Sequence, residues 1–279
     1  MRASASKLQW VALAKGVLLV VGLALAASLP ADGPLPPEEV DLSLFNFARV
    51  EYDSKGGWGE AYYAYDGRVW QRWQTDFPEA DENFSFRLQQ LTAILAKQKA
   101  TSRRLTDPDL FDFPFIYMSD VGWMDLTAEE QAALREYLAR GGFLWVDDFW
   151  GQGEWRNFER AMRRILPDRR WRRIPDSHPI LQTVFDLPSA PQVPARSFAS
   201  PYGTSYEPAG MHRYPVGSLE QVNFRGYFDP DGRLMVVATH NTDIGDGWER
   251  EAYGQWYFET FSTKSYALGV NIIVYALTH

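Results

Sequence analysis

Short apolar segments alternate with amphipathic segments along the first half of the chain, and this alternation is the strongest constraint on the fold. Residues 111–120 and 142–149 are rich in β-branched and aromatic residues, whereas residues 126–142 and 154–167 place apolar side chains at helical spacing. Parallel strands need a long crossover connection, usually a helix. The alternation therefore predicts an α/β fold with a mainly parallel sheet and helices packed on its faces.

Signals at the segment ends agree with this pattern. Thr127 and Glu130 form a capping-box pattern at the start of the helix over 126–142, and Gly141 is a typical helix-ending residue. Earlier in the chain, residues 44–52 predict a strand. Residues 82–98 predict a helix, with either Asn83 or Ser85 as its cap.

The second half of the chain is less regular. Residues 177–210 are rich in Pro, Ser, Gly and Ala and predict a long surface loop. Residues 222–241 predict an antiparallel hairpin, because Pro230 presets φ and Gly232 tolerates positive φ in the Asp-Pro-Asp-Gly turn. Residues 265–279 predict a buried C-terminal helix, although Val and Ile leave a strand as the alternative.

The amino terminus has the pattern of an export segment. Arg2, Lys7 and Lys15 precede an apolar run over residues 16–29, which is short for a membrane span and typical of a signal peptide. Residues 8–14 are also apolar, so an uncleaved membrane anchor is the alternative. Both interpretations place the rest of the chain outside the cytoplasm, in the periplasm or facing it. The predicted parts are a signal peptide or anchor helix over 1–29, a Pro-rich linker over 30–43 and one domain over 44–279.

Charge and cysteine content exclude several classes of protein. The chain has 28 Lys and Arg against 36 Asp and Glu, and removal of three basic residues with the export segment leaves 25 against 36, a net charge of −11. Such acidity argues against nucleic-acid binding, which depends on neutralising phosphates. The absence of cysteine excludes disulfides, thiolate nucleophiles and Cys-based metal sites. We interpret the 15% of aromatic residues as a packed core, in preference to a surface that stacks on sugars or docks a partner.

Polar residues follow four of the predicted strands at the point where each strand ends. In open parallel sheets, ligands bind beyond the carboxyl ends of the strands. If the four strands are parallel, these residues line one acidic cleft; they are Asp53 and Lys55, Ser119 and Asp120, Asp147 and Asp148, and the group from His240 to Asp246. The candidate ligand-binding residues are Asp147, Asp148, Trp150, His240, Asn241, Asp243, Asp246, Trp248 and Glu249.

Each candidate has a structural alternative. Asp147 and Asp148 are adjacent on a strand and should point to opposite sides, so one can face the cleft while the other caps a helix or is solvated. His240 could act as a general base, yet a single His beside a strand is more often only hydrogen-bonded. The Gly-rich stretch KGGWG over 55–59 could cradle an anion but has no Walker pattern, so a flexible turn is preferred.

The segment HNTDIGDGWE over 240–249 has oxygen-rich spacing that a hard cation such as Ca²⁺ could use. We prefer a structured loop at the cleft edge, in which Asp243 and Asp246 accept backbone N–H bonds and Trp248 closes over the loop. On this interpretation we expect no metal and no cofactor. The arginine-rich segment over 163–173 is interpreted as a solvated helix end and loop, with docking to an acidic partner or anionic lipid as the alternative.

Three motifs resemble those of the family catalogued as domain of unknown function 4159. They are LREYLARGGFLWVDDFWG (134–151), GRLMVVATHNTDIGDGWERE (232–251) and WYFETFSTKSYALGVNIIVYALTH (256–279), with NFARVEY (46–52) as a weaker match. The resemblance covers roughly residues 44–279. It implies a flavodoxin-like three-layer sandwich similar to class I glutamine amidotransferases, and it implies no established activity.

The amidotransferase likeness also has a negative consequence. In those enzymes a Cys follows the strand that VDDF resembles, and a His follows the strand that MVVATH resembles. His240 stands where the His would be, but Asp147, Asp148 or Phe149 stands where the Cys would be. Without a thiol, glutamine hydrolysis through a thioester is not available.

Two functions stay open at this point. The preferred one is a non-catalytic module of a cell-envelope assembly that binds a small ligand or a protein, with envelope or membrane proteins as partners and no nucleic acid. The alternative is a carboxylate- or metal-assisted hydrolase of sugars or peptides, which convergence of Asp147 or Asp148 with His240 and Asp243 would favour. The sequence has no Gly-x-Ser-x-Gly elbow and no His-Glu-x-x-His motif.

Overall fold

A computed structural model describes residues 41, 43–65, 67–201 and 205–279. The predicted signal peptide or anchor over 1–29 lies outside the described residues, as does most of the predicted linker. Within the described ranges, no helix is both long enough and apolar enough to cross a bilayer.

The central element is a seven-stranded sheet, accompanied by two short two-stranded sheets. The strands are β1 (Ala48–Glu51), β2 (Asp53–Ser54), β3 (Tyr62–Tyr65), β4 (Arg68–Gln71), β5 (Thr101–Arg104), β6 (Phe115–Ser119), β7 (Met124–Asp125), β8 (Phe143–Phe149), β9 (Arg172–Arg173), β10 (Asn223–Phe228) and β11 (Leu234–His240). The large sheet has the order β5-β1-β6-β8-β11-β10-β9. Its first five strands are parallel, and β10 and β9 extend it in antiparallel register.

Helices cover both faces of the sheet. They are α1 (Glu79–Leu91), α2 (Ala128–Ala139), α3 (Gly151–Ile165), α4 (Ile244–Glu249), α5 (Gln255–Tyr257) and α6 (Thr263–Thr278), with a π-helical turn at Phe258–Ser262 between the last two. Side chains of α1, α4 and α6 pack on one face, and side chains of α2 and α3 pack on the other. The sheet thus lies between two apolar cores.

Successive strand side chains point to opposite faces of the sheet, and they form the two cores. Phe47 and Tyr117 point into the first core, where the ring centroid of Trp248 in α4 lies 6.0 Å from each of theirs. Their chain neighbours Ala48 and Met118 point into the second core. Such alternation is expected of strands buried on both faces.

Several sequence predictions are confirmed. Thr127 and Glu130 form the capping box of α2, and Gly141 ends that helix region with a φ of 103°. The predicted hairpin is β10 and β11, with Gly232 at a φ of 91° in its turn. The predicted C-terminal helix is α6, because helical packing against α1 and α4 outweighs the β-propensity of its Val and Ile residues.

Other predictions were wrong in their limits. The helix predicted over 82–98 is α1, which begins after Pro78 rather than at Asn83 or Ser85 and ends at Leu91. Proline suits a helix start, and three acidic residues in the first turn of α1 favour the earlier beginning. After Thr92 the chain is extended, because Phe45 pairs with Ala96.

Two segments predicted as loops contain strands. The segment over 53–68, interpreted from its glycines as a loop, contains β2 and β3, and β3 pairs with β4 in a hairpin. The arginine-rich segment ends in β9, and Arg172 lies 4.0 Å from the Phe228 ring centroid. β9 consists of two arginines at the edge of the large sheet and lacks the apolar alternation of buried strands, so the sequence pattern did not identify it.

Candidate functional site

The carboxyl ends of the parallel strands bring polar residues of distant segments to one edge of the sheet. Asp120 follows β6, Asp148 belongs to the end of β8, and Asn241 follows β11. Together with Asp76, which precedes α1, these are the non-glycine residues with positive φ in the described chain, with values of 52° to 63°. Asp and Asn tolerate this conformation better than other residues, and clustered outliers of this kind are typical of functional sites.

A bulge at the end of β8 separates two neighbouring aspartates. Ala238 pairs with Val146 and His240 pairs with Phe149, so Asp147 and Asp148 together oppose one residue of β11. Asp148 has a φ of 52°. A bulge of this kind re-aims a side chain, and simple alternation along a strand does not predict its result.

Asp147 is an anchor inside the first core. Its Oδ2 atom accepts hydrogen bonds from the Tyr117 hydroxyl at 2.9 Å and from the backbone N–H groups of Ile244 and Gly245 at 2.8 and 3.0 Å. Its Oδ1 atom accepts one from the Thr239 hydroxyl. Burial raises the pKa of Asp147 to about 6, although the donors oppose that rise. The carboxylate therefore fixes the start of α4 to the sheet.

Asp148 lies in a second environment, with Asp76 and Asp243. One carboxylate oxygen of each of the three residues lies within 4.8 Å of the others, and we name this group the central cluster. Burial raises the pKa of all three carboxyls, and the charges of neighbouring carboxylates raise it further. Asp148 accepts a hydrogen bond from Trp150 Nε1 at 3.1 Å.

Asp243 also stabilises α4 directly. Its Oδ1 atom accepts a hydrogen bond from the Asp246 backbone N–H at 2.8 Å, as an N-cap residue does. The segment that follows is a short helix rather than the loop predicted from sequence. Trp248 is fully buried on its inner side, 4.5 Å from the Phe84 ring centroid, and so belongs to the core.

Acidic groups around the central cluster have basic partners. Asp120 accepts a hydrogen bond of 2.8 Å from Arg72, and burial raises its pKa to about 6. Asp246 Oδ1 lies 3.6 Å from Arg250 Nε, which also contacts Glu249 at 2.5 Å. Among the described residues, by contrast, no ion pair involves Asp76, Asp148 or Asp243. The central cluster is therefore a group of carboxylates without a counter-charge in contact.

A histidine and two glutamates adjoin the cluster. His212 Nδ1 lies 3.3 Å from Glu154 Oε1, and Nε2 lies 3.7 Å from Glu207 Oε2. Burial and neighbouring acids raise the pKa of Glu207 to about 7, although His212 opposes the rise. The Glu207 charge in turn raises the pKa of Asp148 and Asp243.

A comparison with protein families matches residues 46–277 to the family described as a domain of unknown function, DUF4159. The match covers most of the chain. The chain belongs to the DUF4159 family. No curated protein matches it.

Other predicted site residues of this DUF4159 domain have structural roles. Asn241 Oδ1 accepts a hydrogen bond from Gly151 N at 2.8 Å, and its Nδ2 donates to the carbonyls of Ser218 and Gln221. His240 Nε2 lies 2.9 Å from the Gly151 carbonyl oxygen. Burial lowers the pKa of His240 to about 3, so its imidazole is neutral at physiological pH.

The DUF4159 domain does not bring every polar strand end into the cluster. Asp53 pairs with Arg104 at 3.1 Å, and Lys55 pairs with Asp125 at 3.0 Å, both at the surface. A surface pocket of about 550 Å³ also lies elsewhere, with a lining that includes Arg173, Gln192, Glu220 and Lys264 but no residue of the central cluster.

Sequence reasoning missed three residues of the site. Asp76 lies in the short connection before α1, and Glu207 and His212 lie in the irregular segment between β9 and β10. No periodic pattern marks such residues. The Thr-Asp-Phe-Pro sequence at 75–78 is a local signal of a turn before a helix, but it does not predict where the carboxylate points.

Proposed function

We propose that this DUF4159 domain is a non-catalytic binding module of a cell-envelope assembly, and that it binds a sugar-containing ligand at the carboxyl edge of its sheet. The observation that carries the proposal is a pair of exposed tyrosines, Tyr65 and Tyr253, beside Arg250, which contacts acidic residues next to the central cluster. Carboxylates bind hydroxyl and amine hydrogens, and exposed rings stack on sugar faces. Such a combination of a ring surface and a few polar groups is typical of ligand sites.

Arg250 connects the tyrosines with the acidic residues. Its guanidinium carbon lies 5.5 Å from the Tyr65 ring centroid and 5.0 Å from the Tyr253 ring centroid. The same side chain contacts Asp246 and Glu249, next to the central cluster. Tyr65 is 53% exposed and Tyr253 is 59% exposed, so both rings are open to a ligand. Their cation–π contacts hold them in place before binding.

Sheet topology supports the location of the site. In chain order, the five parallel strands have the spatial order 2-1-3-4-5, which is the order of flavodoxin-like sheets. Ligands of such folds bind beyond the carboxyl ends of the strands. This order also supports the likeness to class I glutamine amidotransferases, with Asp148 at the turn between strand and helix where those enzymes have their nucleophile. A buried Asp with a raised pKa is suited to hydrogen bonding there rather than to thioester chemistry.

Binding of a sugar is tested by calorimetry. The purified full-length chain is titrated with neutral, amino and N-acetylated disaccharides, and we expect at least one to bind. Tyr253→Ser should weaken that binding about fivefold through loss of one stacking surface. Phe111→Ser is the matched control, because Phe111 is also exposed and its ring lies 4.3 Å from the Arg140 guanidinium, yet it precedes β6 at the other edge of the sheet. Equal losses in both variants, or no binding at all, would contradict the proposal.

Export is a separate part of the proposal and needs its own test. It rests on the charged and apolar residues at 1–29 and on the acidity of the remaining chain. Alkaline phosphatase, which is active only after export, is fused after residue 40. We expect an active fusion. An inactive fusion, with the protein in the cytosol, would contradict the envelope assignment.

A hydrolase is the second candidate function. The pKa of Glu207 is raised to about 7, and that of His212 is also raised, which suits acid–base chemistry near neutral pH. The same disaccharides are incubated with the parent and with Asp148→Asn, and reducing ends are measured. The binding module predicts none. Release by the parent that is lost in Asp148→Asn would favour the hydrolase.

A further inference from the structure

We propose that the central cluster of Asp76, Asp148 and Asp243 is a binding site for one Ca²⁺ ion. This inference rests on the proposed binding function, because it concerns the same edge of the sheet and supplies an ion that could contact ligand hydroxyls. Calcium is bound in proteins by carboxylate, carbonyl and water oxygens. Three carboxylates are a common core of such a set, and solvent or ligand oxygens complete it.

The spacing of the cluster matches the size of the ion. Calcium–oxygen distances are about 2.3–2.6 Å, so two ligands on opposite sides of the ion are about 4.8 Å apart. The oxygens of Asp76, Asp148 and Asp243 all lie within 4.8 Å of one another. One ion can therefore contact all three without a change of the backbone. Asp76 is partly exposed as a residue, whereas Asp148 and Asp243 are buried.

Buried polar atoms without hydrogen-bond partners support a ligand at this site, in addition to the acidic composition. Asp76 Oδ2 is inaccessible to solvent and has no hydrogen-bond partner. The His212 side chain is 6% exposed, and its Nε2 atom also has no hydrogen-bond partner. That nitrogen lies 3.7 Å from Oε2 of Glu207, whose charge acts on Asp148 and Asp243. Buried polar atoms without partners are rare, and an ion or an ordered water is the usual explanation.

The neighbouring arginines bind other carboxylates, so the central cluster is open to a different cation. Asp76 also belongs to a second triad with Asp246 and Glu249, but Arg250 contacts both of those carboxylates. Arg72 is bound to Asp120, and Arg49 is bound to Asp81. Each arginine is thus occupied by a carboxylate outside the central cluster. A buried group of carboxylates must either bind protons or bind a cation, and a divalent ion neutralises more charge in less space.

The ligand set favours a hard cation. All three groups are carboxylates, and the chain has no cysteine. Zinc sites usually contain His or Cys, and Mg²⁺ prefers a tighter octahedron with several waters. The wide, partly open set therefore fits Ca²⁺ best. Sites of extracellular modules bind Ca²⁺ with dissociation constants of about 10⁻⁴–10⁻³ M.

Calorimetric titration of the purified full-length chain with CaCl₂ tests the proposal. We expect one site per chain, with Mg²⁺ binding more weakly. Asp148→Asn should weaken Ca²⁺ binding at least about tenfold through loss of one charged ligand. Asp243→Asn should do the same, and because Asn can still cap α4, a folding defect is avoided. Asp176→Asn is the control, since Asp176 is an exposed carboxylate that pairs with Arg173.

The outcomes separate this inference from the proposed function. No Ca²⁺ binding by the parent, or equal binding by the parent and both cluster variants, overturns the site. Disaccharide binding without Ca²⁺ binding supports the sugar-binding module and contradicts the Ca²⁺ site. Ca²⁺ binding without any disaccharide binding supports the Ca²⁺ site and contradicts the sugar-binding module. Tyr253→Ser should not change Ca²⁺ affinity, because its side chain is no part of the cluster.

Discussion

Asp147 and Asp148 are consecutive residues of one strand, yet their carboxylates lie in different environments. Asp147 accepts hydrogen bonds from two backbone N–H groups and two side-chain hydroxyls, whereas Asp148 accepts one from Trp150 and approaches Asp76 and Asp243. The bulge opposite β11 makes this difference possible. The first aspartate is therefore structural, and the second is available to a ligand.

Substitution of these two residues should have opposite effects on stability. Asp147→Ala leaves buried donors of Tyr117, Ile244 and Gly245 unsatisfied, so we expect a loss of about 3 kcal/mol in the free energy of unfolding. Asp148→Asn relieves repulsion from Asp120 and Glu207 and should stabilise the cation-free protein by about 1 kcal/mol. Urea denaturation in EDTA measures both. A loss of similar size in the two variants would contradict the division of roles.

Asp243 distinguishes capping from ion binding. Asp243→Ala removes the cap on Asp246 N, and we expect a loss of about 1–2 kcal/mol in EDTA. Asp243→Asn keeps a capping oxygen and should lose less. The loop interpretation made from sequence expects the same loss with or without Ca²⁺. The ion site predicts a larger loss in CaCl₂, for the Asn variant as well, because only the parent gains binding energy. Melting temperatures of the three proteins in EDTA and in CaCl₂ decide between the two.

Arg49 supports the segment that carries Asp76. It is fully buried, forms a two-fold ion pair with Asp81 and donates a hydrogen bond of 2.8 Å to the Thr75 carbonyl. Arg49→Met leaves Asp81 buried without a partner, and we expect a loss of about 3–5 kcal/mol. The double variant with Asp81→Leu should recover much of this loss, because no unpaired charge remains. Denaturant unfolding of the single and double variants measures the coupling, and equal stabilities of the two would show that the pair is not the cause.

Stability in EDTA should fall as the pH rises from about 6.5 to about 8. Burial raises the pKa of Glu207 to about 7 and of Glu249 to about 8, and it raises those of the central cluster well above their usual range. The folded state then holds protons that the unfolded state releases, so the stabilisation present at low pH is lost in this window. The lowered pKa of His240 has the opposite effect only below about 6.5, the ordinary value for histidine. Melting temperatures that rise with pH would contradict this, and added CaCl₂ should reduce the decline.

Glutamine hydrolysis should be absent. The chain has no cysteine, and both nitrogens of His240 are engaged, with Gly151 O at 2.9 Å and Asn223 Nδ2 at 3.1 Å. Its low pKa also makes it a poor base. Ammonia is measured after incubation of the chain with glutamine. Release that is lost in His240→Ala would show that this edge has an amidotransferase-like activity.

The periodic spacing of apolar residues predicted most of the architecture. The strand of β8 and the helix of α2 have strong apolar patterns and end signals, so their existence and order follow from the residues. By contrast, β5 consists of Thr-Ser-Arg-Arg and lies at a sheet edge. Its pairing with β1 depends on the chain path rather than on its own side chains, which a local pattern does not report.

The candidate site was predictable only in part. Asp148 lies at the end of β8 and Asp243 follows β11, so the rule for carboxyl ends of parallel sheets identified them. Asp76, Glu207 and His212 reach the same place from connections without periodicity, and only the tertiary fold brings them there. The environment of Asp148 also depends on a bulge, and the sequence does not show how a bulge directs the adjacent side chains.

The three carboxylates of the central cluster come from three segments that are far apart in the chain, before α1, at the end of β8 and after β11. Their repulsion therefore arises only when these segments have come together. Neutralising that charge should leave the folding rate nearly unchanged and slow the unfolding rate. If the domain is exported as proposed, its lifetime against proteolysis depends on the ionic composition of its compartment rather than on how fast it folds.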